Sequence, residues 1–243
     1  MSLQVFTKNS KTILSVDFNR EQTCYQICEY CYVTNLERIY SAYADKIKKN
    51  DNLAKDNPKT FAQQLNSEYK KIRRSASKQY DRVEALPVRI YGSGDFIPEH
   101  LEFLQNLDFK FYIISKNLTE NYMQKYISPL SDIHNLTKII LSFDDQNLSN
   151  YESLFINYFQ RDRFGFAYTG LADEYNQLAA KYKFNIFFNI SKKKIEQEKS
   201  RSIKEQCPCD SGALKHDKSC SFCNKCWRSS ITRGKEWNNM ILD

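Results

Sequence analysis

The stretch Val88-Arg-Ile-Tyr-Gly-Ser-Gly-Asp-Phe-Ile-Pro98 joins a β-branched run to a glycine turn and a proline. β-Branched residues favour strands, glycines permit tight turns, and proline is common in the first turn of a helix. The stretch therefore predicts a strand from Val88 to Gly92 and a helix that begins at Glu99. A strand followed directly by a helix is the unit that builds parallel sheets.

The same succession of strand and helix recurs along the chain, which has 243 residues. The predicted strands are Ile13–Phe18, Val88–Gly92, Lys110–Ile114, Lys138–Phe143, Phe164–Tyr168 and Phe184–Ile190. The predicted helices are Val33–Lys49, Pro58–Gln79, Glu99–Asn106, Thr119–Tyr126, Asn147–Phe159 and Leu171–Tyr182. Right-handed crossovers would wind six such units into a curved parallel sheet that binds ligands at the carboxyl ends of its strands. An α/β fold is therefore expected.

Composition limits the class of protein. Hydrophobic residues make up 41% of the chain, but no stretch has the length of an apolar membrane span or the pattern of a signal peptide. A soluble, cytoplasmic protein without a membrane partner is expected. The formal net charge of +7 is compatible with an anionic partner such as nucleic acid. A lysine-rich segment after Ile190 separates a predicted domain over 1–190 from a cysteine-rich region over 191–243.

The eight cysteines fall into two groups, near residues 24–31 and 207–226. Disulfide-rich secreted proteins are short and led by a secretory signal, so metal binding is the better interpretation. The first group, Cys24-Tyr-Gln-Ile-Cys28-Glu-Tyr-Cys31, follows the first predicted strand. Three thiolates on one loop can hold a four-iron cluster with one iron left open to a ligand. The alternatives are a zinc knuckle formed by Cys28 and Cys31, or a chance spacing of buried cysteines.

The spacing C-x3-C-x2-C, with the aromatic Tyr30 before the third cysteine, resembles the signature of the radical S-adenosylmethionine (SAM) superfamily. The resemblance implies a partial (β/α)6 barrel of parallel strands, followed here by a C-terminal cysteine-rich metal-binding extension. It also implies that Cys24, Cys28 and Cys31 hold a 4Fe–4S cluster whose open iron binds SAM. An electron from a donor such as a flavodoxin or ferredoxin then cleaves SAM, and the 5′-deoxyadenosyl radical abstracts a hydrogen atom from a substrate.

Polar residues follow several of the predicted strands. By the same resemblance, residues 92–95 occupy the position of a Gly-Gly-Glu-like motif that contacts the amino group of SAM. Gly-Ser-Gly-Asp departs from that motif, and a plain turn between strand and helix is the alternative. The residues after the third and fourth strands would face the ribose and carboxylate of SAM, and those after the fifth and sixth would lie near its adenine. The alternative for each is an ordinary helix cap. The candidate cofactor contacts are Tyr30, Gly92, Ser93, Gly94, Asp95, Ser115, Lys116 and Ser142.

The second cysteine group begins with Cys207-Pro-Cys209 and ends with Cys220-Ser-Phe-Cys223-Asn-Lys-Cys226-Trp227. The predicted metal ligands are Cys207, Cys220, Cys223 and Cys226, with Cys209 as a spare or a substitute for Cys207. The C-x2-C-x2-C run favours an auxiliary iron–sulfur cluster, and a structural zinc is the alternative. Together with the Gly-Ser-Gly-Asp-Phe turn, this ending resembles small phage- and plasmid-encoded radical SAM proteins labelled gene product 88.

Two functions follow as hypotheses. The leading one is an enzyme that cleaves SAM reductively and modifies a substrate, with a nucleotide or nucleic acid slightly favoured over a peptide. The alternative is a non-catalytic, zinc-binding nucleic-acid-binding protein. No catalytic residue is assigned, and the candidate hydrogen-atom donors are Tyr32, Tyr168 and the cysteines of the second group. The three histidines, His100, His134 and His216, are expected to be surface or structural residues.

Overall fold

The computed structural model of the chain describes residues 6–8, 14–24, 32–77, 88–130, 132–158, 161, 163–170, 178, 181–182, 184 and 186–189. Cys28, Tyr30, Cys31 and the region 191–243 lie outside these residues. What the sequence predicts for them, including the second metal site and the boundary after Ile190, therefore stays a prediction.

A seven-stranded sheet runs through the described part of the chain, in the order β1 to β7. Its strands are Thr7–Lys8 (β1), Leu14–Val16 (β2), Val88–Ile90 (β3), Phe111–Ser115 (β4), Leu136–Phe143 (β5), Phe164–Gly170 (β6) and Ile186–Asn189 (β7). β1 pairs antiparallel with β2, and every later pair of neighbours is parallel. The predicted α/β fold with a parallel sheet is confirmed. Within the described residues β1 and β7 are the edge strands, and the curvature of the sheet into a partial barrel stays a prediction.

Eight α-helical segments accompany the sheet among the described residues. They are Arg20–Thr23 (α1), Tyr32–Ile39 (α2), Ser41–Asp56 (α3), Pro58–Ser77 (α4), Leu101–Gln105 (α5), Glu120–Tyr122 (α6), Ser128–Leu130 (α7) and Tyr151–Tyr158 (α8). Short 3-10 turns, Pro98–His100 and Leu148–Asn150, precede α5 and α8, and a π turn, Met123–Ile127, joins α6 to α7. None of the described helices is both long and apolar enough to span a membrane.

The strand order explains why the two faces of the sheet differ. Strands that are neighbours in both space and sequence, joined by right-handed crossovers, place their connecting helices on the same face. On that face Val16, Ile90 and Phe143 share one apolar core with Phe61 of α4 and Phe103 of α5. Successive strand residues point to opposite faces, so the other face carries a more polar set. It includes Ser15, Tyr112, Lys138, Ile140, Ser142 and Ala167.

One predicted helix is two helices in the structure. The periodic stretch Val33–Lys49 contains neither glycine nor proline, yet it is interrupted between α2 and α3. There Tyr40 has φ −124° and ψ 93°, an extended conformation, and its carbonyl accepts the amides of Tyr43 and Ala44. α3 also runs past its predicted end, because its later turns are buried around Asp51. Hydrophobic periodicity marks the helical face and does not reveal such a break.

The predicted helix Thr119–Tyr126 also ends later than expected. It continues through the π turn into α7, and the amide of Ser128 donates to the carbonyl of Met123, five residues earlier. Pro129 explains the wider turn, because proline has no amide hydrogen and its ring displaces the carbonyl four positions before it. The predicted helix Leu171–Tyr182 lies mostly outside the described residues.

Candidate functional site at the carboxyl edge of the sheet

The carboxyl ends of β2 to β6 lie along one edge of the sheet, because these strands are parallel. The segments at these ends, residues 17–24, 91–96, 115–117, 142–147 and 168–170, are called the carboxyl edge below. Ligands of open parallel sheets bind at such an edge. It carries Cys24, Asp95 and Lys116, and is therefore the candidate functional site.

Cys24 is held at the end of α1 by local hydrogen bonds. The Asn19 side chain caps α1 by accepting the amide of Glu21 at 3.3 Å. The Cys24 amide donates to the Arg20 carbonyl at 2.8 Å, and the Arg20 guanidinium pairs with Glu37 of α2 at 2.8 Å. The first cysteine of the predicted cluster site is thus half-buried at the carboxyl edge.

Hydrogen bonds join the segment after β2 to the glycine turn after β3. The Phe18 amide donates to the Ser93 carbonyl at 3.2 Å, and the Ser93 hydroxyl donates to the Phe18 carbonyl at 2.8 Å. The Asp95 amide donates to Thr23 Oγ1 at 3.2 Å, across 72 positions of sequence. Asp95 is therefore fixed against the residue that precedes Cys24.

The turn after β3 has an unusual backbone. Tyr91 has φ 64° and Gly94 has φ 81°, in the left-handed region where residues other than glycine are uncommon. Gly92 is required for a different reason, because a Cβ there would overlap Ser15 Oγ and Asp17 Oδ1. Those two atoms are hydrogen bonded to each other at 2.6 Å and are buried. The turn thus needs one glycine for space and another for its backbone conformation.

Asp95 carries a buried carboxyl group, with 5% of the residue exposed. Its Oδ1 accepts the Lys116 amide at 3.1 Å. Burial raises the pKa of Asp95 to about 6, although the Lys116 amide and the Ser115 hydroxyl both act to lower it. Ser115 Oγ is also buried, and no described residue forms a well-aligned hydrogen bond with it. The edge therefore holds a carboxylate whose ionisation destabilises the fold and a hydroxyl that can serve a ligand.

Replacing Asp95 with asparagine is expected to increase the free energy of unfolding at pH 8 by about 2–3 kcal/mol. A carboxyl group whose pKa rises on folding stabilises the fold below its unfolded pKa of about 4, and that contribution is lost as the pH rises through about 6. Asparagine keeps an oxygen for the Lys116 amide and has no charge to bury. Urea unfolding of both proteins at pH 4.5 and pH 8 measures the effect, which should shrink at the lower pH. A difference that is the same at both values would contradict the raised pKa.

A row of polar contacts continues from β4 to β6. Lys116 Nζ pairs with Asp144 Oδ2 at 3.3 Å. Asn147 Nδ2 donates to the Ser142 carbonyl at 3.3 Å, and the Ser142 hydroxyl is hydrogen bonded to Thr169 Oγ1 at 2.8 Å. The polar groups of three neighbouring strand ends are thus connected to one another along the edge.

The structure brings together most of the described residues that the sequence singles out. Those that lie at the carboxyl edge with Cys24 are Gly92, Ser93, Gly94, Asp95, Ser115, Lys116 and Ser142. Ser142 lies within β5 and is bonded to Thr169, and the Tyr168 hydroxyl donates to Asp145 Oδ1 at 2.6 Å. Among the described residues, no group of three or more His, Cys, Asp or Glu side chains is placed to hold a metal ion.

Two residues of this edge region were missed by the sequence analysis. Thr23 accepts the Asp95 amide, and the Tyr122 hydroxyl donates to the Phe96 carbonyl at 2.6 Å. Burial raises the pKa of Tyr122, and the charges of Asp95 and Cys24 act in the same direction. The position of Thr23 directly before Cys24 was a usable signal. Tyr122 had none, because helix packing decides which side chain reaches the edge.

Comparison with known proteins corrects one assignment. No curated protein and no solved structure matches the chain. The matching family model is described as Gene product 88, and no radical SAM family model matches, so the assignment to the radical SAM superfamily is wrong as a statement of family. The match spans residues 4–229, which include the carboxyl edge and both cysteine groups. The chain therefore belongs to the Gene product 88 family.

Proposed function

We propose that this protein is an iron–sulfur enzyme that cleaves SAM reductively and uses the 5′-deoxyadenosyl radical to abstract a hydrogen atom from a substrate. The observation that carries the proposal is the position of Cys24, the first of three closely spaced cysteines. It lies half-buried at the carboxyl edge, in a segment bonded through Thr23 to the buried Asp95. A metal centre that includes Cys24 would therefore adjoin groups able to bind an organic ligand.

The donor set fits a four-iron cluster. Cys24, Cys28 and Cys31 supply three thiolates from one short segment, which leaves one iron without a protein ligand. The buried Ser115 hydroxyl has no aligned hydrogen-bond partner among the described residues, and it could donate to a ligand at the carboxyl edge. When bound and reduced, such a cluster supplies one electron to the sulfonium of SAM, which separates into methionine and the 5′-deoxyadenosyl radical.

The chain's own residues would bind and orient SAM. The Asp95 carboxylate would accept the ammonium of its methionine part, and a cation there would lower the pKa of Asp95 from about 6. Ser115 Oγ would donate to a carboxylate or ribose oxygen of SAM. Lys116 is paired with Asp144, so its ammonium would contact a SAM carboxylate while sharing that partner. Burial of these groups would keep water away from the bond that breaks.

The proposal extends to the shape of the sheet and to the second cysteine group. Sequential parallel strands with helices packed on one face support a sheet that curves into a partial (β/α)6 barrel. The ligands of an auxiliary iron–sulfur cluster would be Cys207, Cys220, Cys223 and Cys226. The net charge of +7 favours an anionic substrate, a nucleotide or nucleic acid, over a peptide. A flavodoxin or ferredoxin would supply the electron.

Anaerobic reconstitution with iron and sulfide is expected to load about eight irons per chain, as two four-iron clusters require. Addition of dithionite and SAM should then yield 5′-deoxyadenosine and methionine in equal amounts, measured by liquid chromatography. The matched control is the same protein reconstituted with zinc, which cannot transfer an electron.

Two results would contradict the proposal. Zinc bound at both cysteine groups of protein purified without added metal, together with nucleic-acid binding, would indicate the non-catalytic alternative. Full iron loading with no 5′-deoxyadenosine above the zinc control would show an iron–sulfur protein that does not cleave SAM.

A further inference from the structure

His100 lies completely buried between two polar partners. Its Nδ1 is 3.2 Å from the Tyr91 hydroxyl, and its ring stacks on the Tyr91 ring with an interplanar angle of 9°. Its Nε2 is 3.2 Å from Asp51 Oδ1 of α3, a contact that is close but not aligned as a full hydrogen bond. Asp51 Oδ2 accepts from Lys55 at 2.7 Å. Tyr91, His100 and Asp51 are called the relay below.

The protonation states of the relay agree with one arrangement of hydrogens. Burial lowers the pKa of His100, so its imidazole is neutral at neutral pH. Burial acts to raise the pKa of Asp51, but the close approach of His100 Nε2 and the hydrogen bond from Lys55 outweigh it and hold that pKa below its ordinary value. An ionised Asp51 attracts a hydrogen on Nε2, which leaves Nδ1 as the acceptor of the Tyr91 hydroxyl. Burial raises the pKa of Tyr91, so this hydroxyl keeps its proton.

The relay includes a residue of the turn after β3 and is connected through Lys55 to the segment after β2. Tyr91 is the residue with φ 64° that opens the turn carrying Asp95. Lys55, which pairs with Asp51, also donates to Gln22 Oε1 at 2.9 Å, in the helix that directly precedes Cys24. A left-handed tyrosine persists only where surrounding contacts hold it. The contacts that hold Tyr91 include the His100 hydrogen bond and ring stacking.

We propose that the relay positions residues 91–95 for ligand binding, with His100 as the positioning residue. His100 touches no reacting atom in this assignment and acts only through the hydroxyl and ring of Tyr91. The ligand is SAM if the proposed function holds, and in that respect alone the inference rests on it. The other charged groups that face His100 are Lys55 of α3 and the neighbouring Glu99.

Amide hydrogen exchange tests the relay without any assumption about activity. In the Tyr91→Phe and His100→Phe variants, amides of residues 91–95 should exchange about tenfold faster than in the parent protein, because one hydrogen bond that holds the turn is lost. Tyr158→Phe is the matched control, since Tyr158 is equally buried but lies on α8, away from the turn. Unchanged exchange in both relay variants, or the same acceleration in the control, would overturn the proposal.

The tautomer of His100 is a second test. The relay requires the hydrogen on Nε2, whereas a histidine that only fills space in the core could carry it on either nitrogen. In protein labelled with 15N histidine, the signals of His100 are identified by their loss in His100→Phe. They should show a neutral ring with its hydrogen on Nε2 at pH 7.5, and Tyr91→Phe should shift the Nδ1 signal. A hydrogen on Nδ1, or a protonated ring, would overturn the assignment.

Binding of SAM to the reconstituted, unreduced protein connects the relay to the proposed function. Calorimetry should show the dissociation constant of SAM rising about tenfold in Tyr91→Phe and unchanged in Tyr158→Phe. Parent-level affinity in Tyr91→Phe would overturn the ligand-positioning role. If the parent protein binds no SAM while exchange and tautomer behave as expected, the proposed function fails and the relay stands as a device that orders the turn.

Discussion

Replacement of Cys28 with alanine is expected to abolish the formation of 5′-deoxyadenosine, down to the background of dithionite and SAM without protein. A four-iron cluster with one open iron needs three thiolates, and C-x3-C-x2-C supplies no spare. Cys24, four positions earlier, is the member of this group that the structure places at the carboxyl edge. Liquid chromatography of the reaction, beside iron and sulfide analysis, measures both the activity and the loss of about four irons.

Cys223→Ala is the matched control for this loss, since it also removes one thiolate from a proposed cluster. It is expected to remove the second metal and to leave cleavage of SAM uncoupled from substrate. If Cys28→Ala still yields 5′-deoxyadenosine, the assignment of the catalytic cluster to the first cysteine group is wrong. If Cys223→Ala alone stops cleavage, the two groups have exchanged roles.

Gly94→Ala is expected to lower the free energy of unfolding by about 2–4 kcal/mol. Two causes add. The φ of 81° at Gly94 costs an L-residue about 1–2 kcal/mol, and a new Cβ would overlap Thr23 Oγ1. That hydroxyl cannot move without cost, because it accepts the Asp95 amide and donates to the Asn19 carbonyl. Urea unfolding under anaerobic conditions measures the change.

The Thr23→Ala background separates the two causes. With the hydroxyl removed, Gly94→Ala should cost only the backbone part, about 1–2 kcal/mol, so the two changes should be strongly non-additive. Equal costs of Gly94→Ala in both backgrounds would show that Thr23 does not restrict this position. A total loss below about 0.5 kcal/mol would contradict the left-handed backbone at Gly94 itself.

Local patterns predicted the sheet better than the helices. β2 to β7 correspond to the six predicted strands because each is a short run of apolar residues between turn residues, a signal contained within the run. β1 has only two residues and depends on its pairing with β2, so its sequence is too short to show a strand pattern. The break at Tyr40 likewise arises from packing and capping, because no glycine or proline stands there.

The candidate site was predictable in part. Cys24 and the turn containing Asp95 were found from spacing and from their places after strands, but their connection through Thr23 was not. His100 was expected to be a surface or structural residue, and the structure buries it in a polar relay. A single histidine in a sequence has no signal for burial, since its partners Asp51 and Tyr91 come from other segments of the chain.

The sequence by itself determined the order of strands and helices, the glycine turn after β3 and the chemistry that closely spaced thiolates can support. These properties are local, because hydrophobic periodicity, turn residues and ligand spacing act over a few neighbouring positions. Only the tertiary structure decided that Cys24, Asp95 and Ser115 lie at one edge of the sheet and that His100 contacts Tyr91 through a hydrogen bond and ring stacking. Parallel pairing aligns the ends of strands that are far apart in the chain, and burial then sets the pKa values of the groups enclosed there.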